Sequence, residues 1–152
     1  MTNPFTFVPF SLVKIPMLAI SGVRMKLLSA EECVVSAPFK HINKNPFKSM
    51  YFAVQAMAAE LSTAGAAMLA LEAFEENFAY IVVNIQAEFN KKADSKVFFT
   101  CKNYDEFKSE LEESIATNEP VVIAATTEGK MANGTIVSTF TVTWSFKKRE
   151  KK

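Results

Sequence analysis

Histidine is almost missing from this chain: His41 is the only one in 152 residues. That excludes a zinc centre built on several histidines. It also leaves a Ser-His-Asp relay a single possible histidine and no Gly-x-Ser-x-Gly elbow to carry its serine. Glycine is scarce, at four residues, which is little material for a phosphate-cradling loop. Two isolated cysteines, Cys33 and Cys101, make neither a disulfide framework nor a zinc site. They read as small buried hydrophobes in a reducing compartment. Charge of one sign is lacking as well, with a formal net charge of +1, so no global field favours nucleic acid or an anionic membrane. Pro4, Pro9 and Pro16 break up the apolar N-terminus, which has no basic residue before Lys14, so it lacks the pattern of a signal peptide. No stretch reaches about 18 uninterrupted apolar residues. The expectation is a cytoplasmic protein with no metal, no cofactor and no membrane or nucleic-acid partner.

What the chain has in quantity is apolar residues, 49% of the total, enough for one domain spanning 1–152 with a proper core. The longest helix-forming run follows Asn45-Pro46-Phe47-Lys48-Ser49-Met50-Tyr51 and lasts to Glu72, rich in alanine, leucine and methionine. Asn45-Pro46 is a helix-start signal, a side-chain cap followed by a residue with no N–H to satisfy. Apolar and small residues occur almost all round, so the helix is expected to be wrapped by protein on most sides. Between Tyr51 and Glu72 only Gln55 and Glu60 are strongly polar.

Around that helix the periodicity is mostly that of strands. Residues 1–20 form an aromatic-rich helical leader between prolines. From Gly22 to Pro38 alternation predicts two strands, with Val23, Met25 and Leu27 on one face, joined near Ser29–Glu32. Strands are predicted over 78–89 and 96–102. A helix is predicted over 104–118, with Tyr104, Phe107, Leu111 and Ile115 on its inner face. The last third reads as a hairpin with arms 121–127 and 135–146, a turn over 128–134, and a charged tail over 147–152.

The order of leader, two strands, long helix, two strands, short helix and two strands resembles the hotdog fold, an α+β fold in which a curved antiparallel sheet wraps a long central helix. The residues resemble the hotdog thioesterase superfamily, in particular the phenylacetyl-CoA-type small acyl-CoA thioesterases. Asn45-Pro46-Phe47-Lys48-Ser49-Met50-Tyr51-Phe52 is similar to that family's Asn-x-x-Gly-Ser-Met-Tyr-Phe-Gly start, with Lys48 and Ala53 in place of glycines. The family's acidic residue inside the helix corresponds to Glu60. Gln86 to Ala93 and the terminal hairpin are similar too.

The resemblance implies an acyl-CoA thioester hydrolase. Amides near Ser49, Met50 and Tyr51 would polarise the thioester carbonyl at the positive end of the helix. Glu60 would activate water or attack as a nucleophile. Asn45, Lys91 and Lys92 would contact substrate, the lysines meeting the phosphates of coenzyme A, and Lys44 is a further candidate. Glu60 lies about eleven residues past Ser49, roughly 16 Å along the axis, so one helix cannot serve both roles at one carbonyl. Catalysis therefore predicts self-association as a dimer or tetramer with composite sites. A non-catalytic acyl- or CoA-binding or scaffolding hotdog domain is the alternative, favoured by the two missing glycines.

Overall fold

Alternating burial along the strands builds a six-stranded antiparallel sheet in which the first, second, fourth, fifth, sixth and third strands of the sequence lie side by side in that order. The computed structural model describes residues 12–149. The elements are α1 (Pro16–Ser21), β1 (Arg24–Leu28), β2 (Cys33–Ala37), α2 (Phe52–Leu71), β3 (Phe78–Phe89), β4 (Val97–Cys101), α3 (Tyr104–Thr117), β5 (Val121–Met131) and β6 (Ile136–Lys148). Residues 1–11 of the expected leader and 150–152 of the tail lie outside the described residues, and Lys147 and Lys148 belong to β6.

Two expectations are corrected by packing. Met25 turns inward as predicted, but a register shift between Met25 and Leu27 turns Leu27 outward, 42% exposed. In the terminal hairpin, residues 128–131 belong to β5, and only 132–135 make the turn. Gly129 is a packing glycine: a Cβ there would lie 2.6 Å from Cε1 of Phe99. Gly134, at φ +85°, is the turn glycine.

α2 lies against the concave face of the sheet. It is 20 residues long, with an 18-residue stretch of mean hydropathy 1.3, and so meets the length and composition of a membrane-spanning helix. Here most of that apolar surface is covered by the sheet and by α3, and Ala58, Ala59, Ala66 and Ala70 are essentially inaccessible. Three polar side chains of α2 face the sheet, and each finds a partner. Ser138 Oγ donates to Gln55 Oε1 (2.9 Å), Ser62 pairs with Thr127 (2.8 Å), and Trp144 Nε1 donates to Thr63 Oγ1 (3.0 Å). An unpartnered group in such a place costs about 1–3 kcal/mol, so these pairs fix the rotation of α2 on the sheet. The cysteines sit directly opposite one another on β2 and β4, both fully buried. Burial pushes the Cys33 thiol to about 12 and the Cys101 thiol to about 11, so both stay protonated.

α2 does not extend over β3. On that edge strand Tyr80, Val82, Ile85 and Phe89 share the inner face with Phe146, Trp144, Val142 and Ser138 of β6. Tyr80, Ile85 and Phe89 nevertheless remain 50%, 45% and 52% exposed. An open apolar strip therefore runs between β3 and α2.

Candidate active site

The first turn of α2 supplies the polar end of this strip, but not at the residues the sequence favoured. Asn45-Pro46 does not start the helix. Asn45 Oδ1 accepts from the N–H groups of Phe47 and Ser49, both at 3.1 Å, closing a turn rather than capping a helix. Lys48 sits in that turn at φ +57°, a left-handed backbone that glycine adopts more readily. Tyr51, extended at φ −62° and ψ 134°, precedes the helix and makes no side-chain cap.

The amides at Ser49, Met50 and Tyr51 are consequently occupied within the protein. Ser49 N–H donates to Asn45, Met50 N–H to the Ala93 carbonyl (2.8 Å), and Tyr51 N–H to the Asn43 carbonyl (2.8 Å). The open donors are the next two, since the N–H groups of Phe52 and Ala53 meet no acceptor among the described residues. They lie at the positive end of a 20-residue helix. The sequence reading missed them because Asn45 closes a turn on Ser49 instead of capping a helix, and because the Met50 N–H is taken by Ala93, 43 positions away. A groove of about 430 Å³ opens beside Phe52, lined also by Asn45, Phe47, Gln55, Phe89 and Lys91. Ala53 beside it is exposed.

Glu60 lies seven residues beyond Ala53, within about 20° of two full turns, so the two share one stripe of α2 about 10 Å apart along the axis. Its carboxylate makes no hydrogen bond or ion pair among the described residues. It lines a second cavity of about 430 Å³, between the second half of α2 and the start of β3. Desolvation there raises its pKa above the ordinary carboxylate value. Glu60 and Phe52 therefore line different cavities of the same chain, and Ala53 lines neither. Lys91 lines the groove at the helix start, while Lys92 beside it is exposed on the surface. Lys44 is drawn away, its Nζ 4.4 Å above the Phe39 ring. His41 is exposed in a short 3-10 turn over His41–Asn43. No cluster of three metal-ligating side chains occurs among the described residues.

No protein-family model and no curated protein matches the chain. Solved structures do match it over nearly its whole length. A Pseudomonas aeruginosa protein of unknown function, described as a probable thioesterase, superposes with a TM-score of 0.79 at 18% identity, covering 98% of this chain and 99% of its own. A Chlorobaculum tepidum protein of unknown function also reaches 0.79, at 11% identity over 97% and 98% of the two chains. A Haemophilus influenzae thioesterase reaches 0.66 at 13% identity, over 91% and 87%. The chain has the hotdog fold. In this hotdog domain the central helix is α2; one candidate site region lies at its first turn beside Phe89 of β3, and the other along its second half, between Met25 and Leu28 of β1 and Tyr80 and Val82 of β3.

Proposed function

We propose that the protein hydrolyses acyl-CoA thioesters as a two-fold dimer, with the Phe52 and Ala53 amides of one protomer holding the thioester carbonyl and Glu60 of its partner activating water or attacking the carbonyl carbon. The observation that carries this reading is Glu60: the one carboxylate within α2, without a hydrogen-bond partner, in line with two unoccupied amides. Donors aimed at a developing oxyanion supply electrostatic stabilisation, and a partly desolvated carboxylate is a stronger base than a solvated one. Two hydrogen bonds of about 3 Å and an attack distance of similar size cannot be met by groups about 10 Å apart on one helix. They can be met if the α2 helices of two protomers run antiparallel, because a two-fold contact places residue i against j and j against i. The midpoint between Ala53 and Glu60 falls at Ala56 and Met57, so the axis would pass there, where a small side chain allows close approach. The exposed apolar edge of β3 supports the same arrangement, since an unpaired strand with exposed large apolar side chains is a template for pairing with its own copy. Lys91 and Lys92 then flank the site as cations for the phosphates of coenzyme A.

Turnover, the amide donor and the dimer are each tested separately. A panel of acyl-CoA esters decides between hydrolysis and binding alone, and Phe52→Pro tests the donor. Proline suits the first helical position, the extended Tyr51 before it suits a following proline, and the only backbone group lost is the Phe52 N–H. Against a Phe52→Ala control, kcat is expected to fall by about 10²-fold, with little change in melting temperature. Equal rates for the two variants would remove this amide from the mechanism. The dimer is expected to sediment at twice the chain mass of 16.9 kDa. Ile85→Lys, placing a charge on the open face of β3, should yield a folded monomer with no hydrolysis. A wild type that is monomeric and active would rule out the composite site.

A further inference from the structure

The cavity that holds Glu60 is a poor match to a small or polar acyl group. It is lined by Met25, Leu28, Leu61, Ala64, Met68 and Trp144 among others. The Trp144 N–H is tied to Thr63, so the indole offers the cavity hydrocarbon rather than a donor. The ionisable carboxylates on its wall are Glu60 and Glu72, twelve residues apart on and just after α2, about 18 Å along the axis. No lysine or arginine lines it, so a free carboxylate entering it would meet acids and no cation. Room is ample. A dry engineered cavity of about 150 Å³ accepts benzene, roughly 25 Å³ per carbon, and at that filling about 430 Å³ holds roughly 17 carbon atoms. A phenylacetyl group, with eight carbons, would leave about half of it empty.

We infer that this cavity takes the hydrocarbon tail of a long, straight-chain fatty acyl thioester, entering past Glu60 and running along the second half of α2. The inference rests on the thioesterase reading for the position of the carbonyl, which would lie at the Glu60 end. The tail adds contact with each methylene until the space is full, so affinity should climb with chain length by up to about 4-fold per methylene and level off near palmitoyl. The acids on the wall set the chemical form: a neutral thioester is admitted, and a fatty-acid anion is repelled by Glu60. The same repulsion favours departure of the hydrolysed product.

The chain supplies its own reporter, because Trp144 is the single tryptophan and lines the cavity. Intrinsic fluorescence of the Glu60→Gln protein, which would not consume ligand, is titrated with butyryl-, octanoyl-, lauroyl- and palmitoyl-CoA and with palmitoyl-CoA brominated at mid-chain. The expected result is a dissociation constant that falls steadily towards palmitoyl, with contact quenching by the bromines. Ala64→Phe, which projects a ring into the cavity, should weaken palmitoyl-CoA at least 10-fold and butyryl-CoA by a much smaller factor. Ala64→Leu is the milder variant if the first fails to fold by circular dichroism, and should act in the same direction. Affinity independent of chain length, unquenched tryptophan, or an Ala64 variant that folds and binds palmitoyl-CoA normally would each overturn the assignment. Wild-type hydrolysis decides the other question separately. Chain-length-dependent binding without turnover sinks the hydrolase reading and keeps the tail site. Turnover confined to short or phenylacetyl esters, without palmitoyl binding, keeps the hydrolase and sinks the tail site.

Discussion

Glu60→Gln is expected to lower acyl-CoA hydrolysis by about 10³-fold or more while the protein stays folded and dimeric, because a positioned general base contributes about 10²–10⁴-fold and the amide cannot accept a proton in its place. Folding should survive because Glu60 holds nothing in place: its carboxylate makes no hydrogen bond or ion pair among the described residues. Stability should in fact rise at neutral pH. Desolvation raises the Glu60 pKa in the folded chain above its ordinary value of 4.5, so the folded state holds the proton more tightly than the unfolded one. The stability associated with that proton is fully present below pH 4.5 and is lost as pH rises through the raised value. Glutamine carries no such dependence. The melting temperatures of wild type and variant should therefore lie close together near pH 4 and separate above it, the variant melting higher. Activity runs the opposite way, since only the ionised form works as a base, and the wild-type rate should increase with pH across the same interval. A folded Glu60→Gln dimer with wild-type turnover would falsify the catalytic role. Coincident pH–stability curves would show that the carboxylate is solvated instead.

The sequence carried the outer framework well, for reasons that lie in side-chain period. β3 occupies 78–89 as expected, and α3 closes at Thr117 with Asn118 left-handed at φ +61°. The core positions Phe107 and Leu111 follow directly from the helical spacing in 104–115. The start of α2 was not legible in the same way. Asn45-Pro46 carries a strong local signal for a cap, yet Asn45 spends its side chain on Phe47 and Ser49, and the helix begins six residues after Pro46 behind an uncapped Tyr51. That displacement moved the open donors from 49–51 to 52–53, because Ala93 and Asn43 supply acceptors to Met50 and Tyr51. Contacts made by a residue 43 positions away leave no trace in local propensity. Glu60 was legible for the opposite reason: a single carboxylate inside an apolar run is conspicuous in the sequence whatever it packs against. Gly129 was misjudged as turn material because the aromatic ring that requires it, Phe99, lies on another strand.

Another glycine, Gly65 in the middle of α2, gives a second large expected effect. Gly→Ala inside an exposed helix normally stabilises by about 1 kcal/mol. Here the sign should reverse. A Cβ at position 65 would lie 2.5 Å from Cys33 Sγ and 2.8 Å from Met25 Cε, well inside the roughly 3.5–4.0 Å of ordinary contact. The Met25 terminus can swing aside. Cys33 cannot, because it is fully buried on β2, with β1 on one side and β4 on the other. Relief then requires α2 to lift from the sheet at the point where Ser62–Thr127 and Thr63–Trp144 pin it. Gly65→Ala is therefore expected to destabilise by about 1–3 kcal/mol, a fall of roughly 3–10 °C in melting temperature for a chain of this size. Cys33→Ala removes the obstructing sulfur and, alone, leaves a small void with its own cost. Together the two substitutions exchange volumes across the helix–sheet contact, so the double variant should melt above Gly65→Ala, with a coupling of about 1 kcal/mol or more. Strict additivity, or a Gly65→Ala protein more stable than wild type, would show that α2 does not sit this close to β2. Because Glu60 and the wall of its cavity are carried by the same helix, Gly65→Ala should also disturb acyl-chain binding, and Cys33→Ala should restore it. That recovery would tie the seating of α2 on the sheet to the shape of the site.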